Sequence, residues 1–130
     1  DLYIMYDSAD GTLGKNQLKW LRETLEWADK QDFRHIVAGS HTHFFMRDNS
    51  QGIATNYSIE ETYTLLRLFQ SYGVDMLLTG HSHSREVTLF DELTCIIVDS
   101  MTDEDKKPAY LVATMGKTIE YEFVNLPTKQ

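Results

Sequence analysis

Four of the five histidines in this chain fall in two pairs, and each pair closes a short apolar run. One pair lies in Gly80-His81-Ser82-His83 and the other in Gly39-Ser40-His41-Thr42-His43. In extended backbone, residues i and i+2 point to the same side, so the two imidazoles of a pair can reach one centre or two adjacent ones. Neutral imidazole is a common ligand of zinc, iron and manganese. The residue types and their spacing therefore indicate metal binding.

The segments that carry these pairs are predicted to be parallel strands. Apolar runs at residues 2–6, 33–38 and 74–78 have the character of strands, and helical spacing of apolar residues covers 15–28 and 59–72. This alternation of strand and helix implies parallel pairing with right-handed crossovers. Ligands of open α/β sheets bind at the carboxyl ends of the strands. Because both pairs follow such ends, we expect His41 and His81 to converge at one edge of the sheet.

The remainder of the chain is predicted to be antiparallel. Runs at 86–90 and 93–98 flank an Asp-Glu turn, and runs at 110–114 and 118–123 flank Met115-Gly116-Lys117. The predicted fold class is α/β, with a βαβαβ unit followed by antiparallel strands. A chain of 130 residues forms one domain at most.

Composition excludes several kinds of protein. The net charge is −8 and the pI is near 5.0, so nucleic-acid binding by electrostatics is not expected. An acidic protein that handles phosphate must neutralise it locally, and bound cations do that. No apolar run approaches the roughly 18 residues of a membrane span. Cys95 is the one cysteine, so the chain has no internal disulfide.

Five further residues have predicted roles. Gln17 is predicted to cap the first turn of the first helix, and Ser58 with Glu61 forms a capping box for the second. His35, at the opposite end of its strand from Gly39, is predicted to be structural or exposed. Arg47, in the loop at 44–57, is a candidate contact for an anionic substrate, with a plain exposed arginine as the alternative.

The order of motifs resembles the C-terminal half of a calcineurin-like metallophosphoesterase. The matching features, in chain order, are Asp7-Ser8 after a strand, Gln17-Leu18-Lys19-Trp20-Leu21, Ile36-Val37-Ala38-Gly39-Ser40-His41, Gly73-Val74-Asp75 and Gly80-His81-Ser82-His83. The resemblance covers nearly the whole chain. It implies that this chain forms one half of a four-layer α/β/β/α sandwich.

The resemblance also implies a dinuclear metal centre that hydrolyses phosphomonoesters or phosphodiesters. His41 and His81 would bind one divalent ion and His83 the other, with manganese, iron, zinc or nickel as the metal. His43 stands where the family often has proline, and we interpret it as a substrate contact or a neighbour rather than a ligand.

The family's N-terminal half supplies an Asp-x-His pair, a bridging aspartate and an Asn-His-Asp/Glu segment, and this sequence contains none of them. We therefore expect no catalytic residue in this chain, weak or absent metal binding, and no activity without a missing N-terminal half. An apolar sheet face that this half would cover is expected to be exposed and to drive formation of a dimer or higher oligomer.

Two alternatives remain open from the sequence. One is a stand-alone metal-binding module without hydrolytic activity, formed by His41, His43, His81 and His83. The other is a structural domain in which these histidines are vestigial. The sequence does not indicate the substrate or the compartment.

Overall fold

The structure, a computed structural model, describes residues 1–8, 11–44, 57–99 and 108–127. Arg47 lies outside these ranges, so its predicted role stays a prediction. The described elements, in chain order, are β1 (Leu2–Met5), α1 (Gly14–Ala28), β2 (Ile36–Gly39), α2 (Ile59–Ser71), β3 (Met76–Thr79), β4 (Glu86–Phe90), β5 (Leu93–Ile97), β6 (Ala109–Met115) and β7 (Ile119–Asn125).

Five of the strands form one mixed sheet in the order β1-β2-β3-β5-β4. The pairs β1/β2, β2/β3 and β3/β5 are parallel, whereas β4 runs antiparallel to β5. Strands β6 and β7 form a separate antiparallel hairpin. The predicted fold class, a βαβαβ unit followed by antiparallel strands, is confirmed.

The two helices cover one face of this sheet. Their buried positions recur at helical spacing, and Leu21, Leu25, Leu65 and Phe69 have no exposed surface. They pack in one cluster with side chains from β1, β2 and β3, among them Ile4, Ala38 and Leu77. This cluster is the main hydrophobic core and fixes the helices to the strands that lead to the histidines.

The β6–β7 hairpin covers the middle of the other face. Val37, Met76 and Ile96 are buried there, in contact with side chains of the hairpin that include Leu111 and Phe123. The expectation of an uncovered apolar sheet face is therefore wrong for the centre of the sheet. Among the described residues, the large apolar side chains that are exposed on this face lie towards its two edges, at Tyr3 and Met5 of β1 and at Val87 and Leu89 of β4.

Buried His35 ties the hairpin to the sheet. Its Nε2 atom lies 3.0 Å from the carbonyl oxygen of Gly116, between β6 and β7. A carbonyl can only accept, so Nε2 carries the proton. Its Nδ1 atom lies 3.7 Å from Asp75 Oδ2, which is too far for a hydrogen bond. His35 has the structural role that the sequence predicted.

Glu61 makes hydrogen bonds at the starts of both helices. The Ser58 hydroxyl accepts a hydrogen bond from the Glu61 N–H, as the capping box predicted. The Glu61 side chain then accepts from the Leu13 N–H at 2.8 Å and from the Thr12 hydroxyl at 3.2 Å, at the start of α1. The prediction that Gln17 caps α1 is wrong, because its side chain is bonded to the backbone N–H and carbonyl of Asp7 instead.

No helix in the described part of the chain is long and apolar enough to cross a bilayer. The longer of the two, α1, has 15 residues, whereas a span needs about 20.

Phe69→Ala should lower the free energy of unfolding by about 3–5 kcal/mol. The ring is fully buried and lies 6.0 Å from the Tyr6 ring and 6.2 Å from the Phe44 ring. Ile59→Ala, also on α2 but 76% exposed, is the control and should cost less than about 0.5 kcal/mol. Urea unfolding followed by circular dichroism measures both, and similar losses would contradict this core.

The Cys95 thiol should react slowly in the native state. Burial raises its pKa to about 12, so the thiolate fraction at pH 8 is on the order of 10⁻⁴. Alkylation by iodoacetamide, followed by mass spectrometry, should be at least about a hundredfold slower than in urea-unfolded chain. Equal rates in the two states would show that β5 is not packed as described.

Candidate metal centre

His41 and His81 meet at the carboxyl edge of the sheet. Strand β2 ends at Gly39 and its parallel neighbour β3 ends at Thr79, so the residues that follow each strand emerge side by side. His41 Nε2 lies 3.0 Å from His81 Nδ1, and the ring centroids are 5.0 Å apart. These side chains come from positions 40 residues apart in the sequence, and the edge of the sheet brings them together as predicted.

Backbone hydrogen bonds hold the two turns against each other. The Ser40 N–H donates to Leu78 O at 3.0 Å, and the Gly80 N–H donates to His41 O at 2.9 Å. These bonds continue the β2–β3 pairing past the ends of the strands. The pairing of β2 with β3 therefore helps to set the relative position of the two imidazoles along the strand direction.

The backbone at His81 has an unfavourable conformation. Its φ is 72°, and the Ser82 N–H donates to Gly80 O at 2.9 Å across it, which is a γ-turn of the strained, positive-φ kind. His83 also has a positive φ, 53°. Such conformations in non-glycine residues cost of order 1–3 kcal/mol and cluster at functional sites. At His81 the turn directs the imidazole back towards His41.

The surroundings of His81 favour its neutral form. Partial burial lowers the pKa of His81, and the charges of His41 and His83 lower it further. Neutral imidazole is the form that ligates a metal ion.

His43 and His83 lie differently from this pair. His43 is buried, with its ring centroid 6.1 Å from that of His81, and it lines a small internal space with Thr79, Glu86 and Cys95. His43 is therefore a buried neighbour of His81, below the surface at the carboxyl edge of the sheet. His83 is exposed, and its charge is one of the causes that lower the pKa of His81.

The donor set is suited to two ligands of one ion but is not complete. With metal–nitrogen bonds of about 2.0–2.1 Å, two nitrogens at adjacent corners of an octahedron or tetrahedron are roughly 2.9–3.4 Å apart. The 3.0 Å between His41 Nε2 and His81 Nδ1 falls in this range, and it is also the length of an N–H···N hydrogen bond between the two rings. However, no three His, Cys, Asp or Glu side chains in the described ranges form a group that could hold a metal ion.

Arg85 anchors the segment that follows the second histidine pair. Its guanidinium donates to Asp99 Oδ2 at 2.9 and 2.8 Å and to Asn125 Oδ1 at 3.0 Å, and it lies 4.4 Å above the Phe123 ring. Sequence reasoning did not single out this residue, since all of its partners are at least 14 positions away. The network joins the histidine turn to β5 and to the hairpin.

Comparison with known proteins shows the fold. No protein-family model matches the sequence, and no curated protein matches it. Among solved structures, the chain is similar to GAP50, the anchor in the inner membrane complex of Plasmodium, with 19% identity and a TM-score of 0.59 over 73% of this chain and 30% of that one. It is also similar to PhoD, with 14% identity and a TM-score of 0.52 over 68% of this chain and 20% of that one. The chain spans less than a third of the length of either.

A predicted phosphoesterase from Streptococcus pneumoniae aligns over 95% of this chain and 88% of its own length, with 11% identity and a TM-score of 0.38. That score is too low to establish a common fold. The likeness to GAP50 and PhoD, at identities below 25%, establishes the fold and nothing further.

His81→Gly should raise the free energy of unfolding of the metal-free chain by up to about 1 kcal/mol, because glycine adopts a φ of 72° without strain. Ser82→Gly is the matched control, since Ser82 is not among the residues with positive φ, and it should be destabilising. Thermal unfolding in the presence of a chelator measures both. If His81→Gly destabilises as much as Ser82→Gly, the turn is not strained.

Proposed function

We propose that this chain is the C-terminal half of a metallophosphoesterase domain, which hydrolyses phosphomonoesters or phosphodiesters at a two-metal centre. One observation carries the proposal: two imidazole nitrogens from different strand ends lie 3.0 Å apart at the carboxyl edge of a parallel sheet. The order of the sequence motifs around these strands supports the same reading.

In this proposal His41 and His81 hold one divalent ion and His83 contributes to the second. When bound, such ions supply Lewis-acid stabilisation of phosphoryl oxygens and lower the pKa of a coordinated water. The role of this chain's own residues is to hold neutral nitrogen ligands at a fixed separation. The metal, among manganese, iron, zinc and nickel, is not distinguished by imidazole ligands.

In the described part of the chain, no carboxylate joins His41, His81 and His83 in a group that could hold a metal ion. Two dications about 3.5–4 Å apart repel each other strongly unless carboxylates neutralise them. The acidic ligands and the group that protonates the leaving oxygen would come from an N-terminal half, so the chain alone should be inactive. Arg47 is the proposed contact for the anionic substrate. His43 is buried beside His81 and would support that residue rather than contact the substrate.

Self-association is part of the same proposal. Tyr3 and Met5, 58% and 71% exposed, lie at one edge of the sheet face that β6 and β7 cover in the middle. We infer that the chain alone forms a dimer or higher oligomer through such apolar margins. The prediction fails if ultracentrifugation shows a single monomeric species.

The module of four histidines is not supported. All four residues are within the described ranges, yet no three of them form a group that could hold an ion. If the histidines are vestigial, hydrolytic activity should not depend on them. The experiment below separates this alternative from the proposal.

Two forms of the protein test the proposal: this chain alone, and the chain extended by the residues encoded upstream of it in its gene. We expect hydrolysis of p-nitrophenyl phosphate or bis-p-nitrophenyl phosphate, with added Mn²⁺ or Zn²⁺, from the extended form only. His81→Ala in the extended form should lower kcat by at least about a hundredfold. Ser82→Ala, between the two histidines, is the matched control and should leave activity within about twofold.

Calorimetric titration with Zn²⁺ supplies the second measurement. Weak or absent binding by the chain alone and tight binding by the extended form agree with the proposal. Tight stoichiometric binding by the chain alone would support the binding module instead. Unchanged turnover in His81→Ala would show that the histidines are vestigial.

A further inference from the structure

Two buried hydroxyl groups join the end of β1 to the turn that carries His41. The Thr42 N–H donates to Ser8 Oγ at 2.8 Å, and the Thr42 hydroxyl donates to Ser8 O at 2.7 Å. Ser8 is 1% exposed and Thr42 is fully buried. The two bonds form a closed pair, because each residue supplies one backbone group and one side-chain oxygen. Thr42 stands directly between His41 and His43.

The Ser8 end of this pair is itself fixed. The Tyr6 N–H donates to Gly39 O at 3.0 Å, which extends the β1–β2 pairing. The Gln17 side chain, from α1, accepts from the Asp7 N–H at 2.7 Å and donates to Asp7 O at 2.6 Å. Residues 6–8 are thus held by β2 on one side and by α1 on the other, so they give the turn a rigid attachment.

The turn needs such an attachment because it lies beyond the ladder of β2. Strand β2 ends at Gly39, and on the β3 side residues 40–42 are bonded through Ser40 N–H to Leu78 O, through His41 O to Gly80 N–H and through the contact of His41 with His81. The Ser8–Thr42 pair anchors the turn on its other side, to the end of β1, and without it the β3 side would carry more of the restraint. Rotation about that side would move His41 Nε2 relative to His81.

We propose that Ser8 and Thr42 are positioning residues for the metal centre, which hold the His41 imidazole at ligand distance from His81. The expected effect on metal affinity rests on the proposed function. Loss of a residue that orients a metal ligand typically weakens metal binding 10–100-fold. The inference also has a metal-free consequence, because the pairing of the two imidazoles depends on the same bonds. Neither hydroxyl touches the ion or the substrate.

Thr42→Val is the informative variant. It removes the hydroxyl with little change in shape, and Ser8 O keeps the hydrogen bond that it accepts from the Gly11 N–H at 2.9 Å. Ser8→Ala is harsher, because it leaves the buried Thr42 N–H unsatisfied. Thr42→Ser restores the hydroxyl and is the rescue variant. Thr64→Val is the matched control, since it removes a threonine hydroxyl bonded to a carbonyl, Glu60 O, within α2.

The first measurement uses this chain without metal. Nuclear Overhauser contacts between carbon-bound ring protons of His41 and His81 are expected in the wild type, Thr42→Ser and Thr64→Val, because the ring centroids are 5.0 Å apart. They should be lost or weakened more than about threefold in Thr42→Val, while contacts within the Leu25 and Phe69 core persist. Retained contacts in Thr42→Val, or none in the wild type, would overturn the inference.

The second measurement is zinc affinity by chelator competition in the extended protein. Thr42→Val should weaken binding 10–100-fold, and Thr42→Ser and Thr64→Val should stay within about threefold of the wild type. If His41→Ala leaves zinc affinity unchanged, the proposed function is wrong, and the ring contacts still decide the positioning role. If His41→Ala abolishes binding but Thr42→Val leaves it unchanged, the positioning role is wrong and the proposed function stands.

Discussion

Parallel pairing of β1, β2 and β3 is the constraint from which the arrangement of the histidines follows. In the register of the sheet, Met5 pairs with Gly39 and Gly39 pairs with Leu78. The three strands therefore end at nearly the same level along the strand direction. The turns after them must then pack against each other, and their backbone polar groups find partners in neighbouring turns. The 3.0 Å approach of His41 to His81 results from this alignment and from the strained turn at His81.

The parts of this fold that the sequence predicts are those set by local patterns. Helical spacing of apolar residues placed α1 and α2, Ser58 and Glu61 marked the start of α2, and the order of strand and helix implied the parallel pairing. The convergence of two histidine turns followed from that topology alone. Strand bounds differed by a few residues, since β2 begins at Ile36 and not at residue 33.

What the sequence did not predict depends on contacts between distant segments. Gln17 looked like a local cap, yet it binds the backbone of Asp7, and the Leu13 N–H at the start of α1 is bonded to Glu61 from the second helix. The hairpin of β6 and β7 has alternating apolar residues, but no local pattern says which face of the sheet it covers. Ser8 and Thr42 are short polar residues whose importance lies entirely in a partner 34 positions away. Arg85 is of the same kind.

The bonds that Glu61 makes at the starts of both helices have a consequence for how this chain unfolds. Its carboxylate accepts from residues 12 and 13 while its backbone N–H is bonded to Ser58, so the start of α1 depends on the first turn of α2. Fraying at the start of α2 moves Glu61 and removes its bonds to α1, so protection from amide hydrogen exchange at Leu13 should fall when the first turn of α2 opens. The start of α1 is thereby coupled to a helix far from it in the sequence.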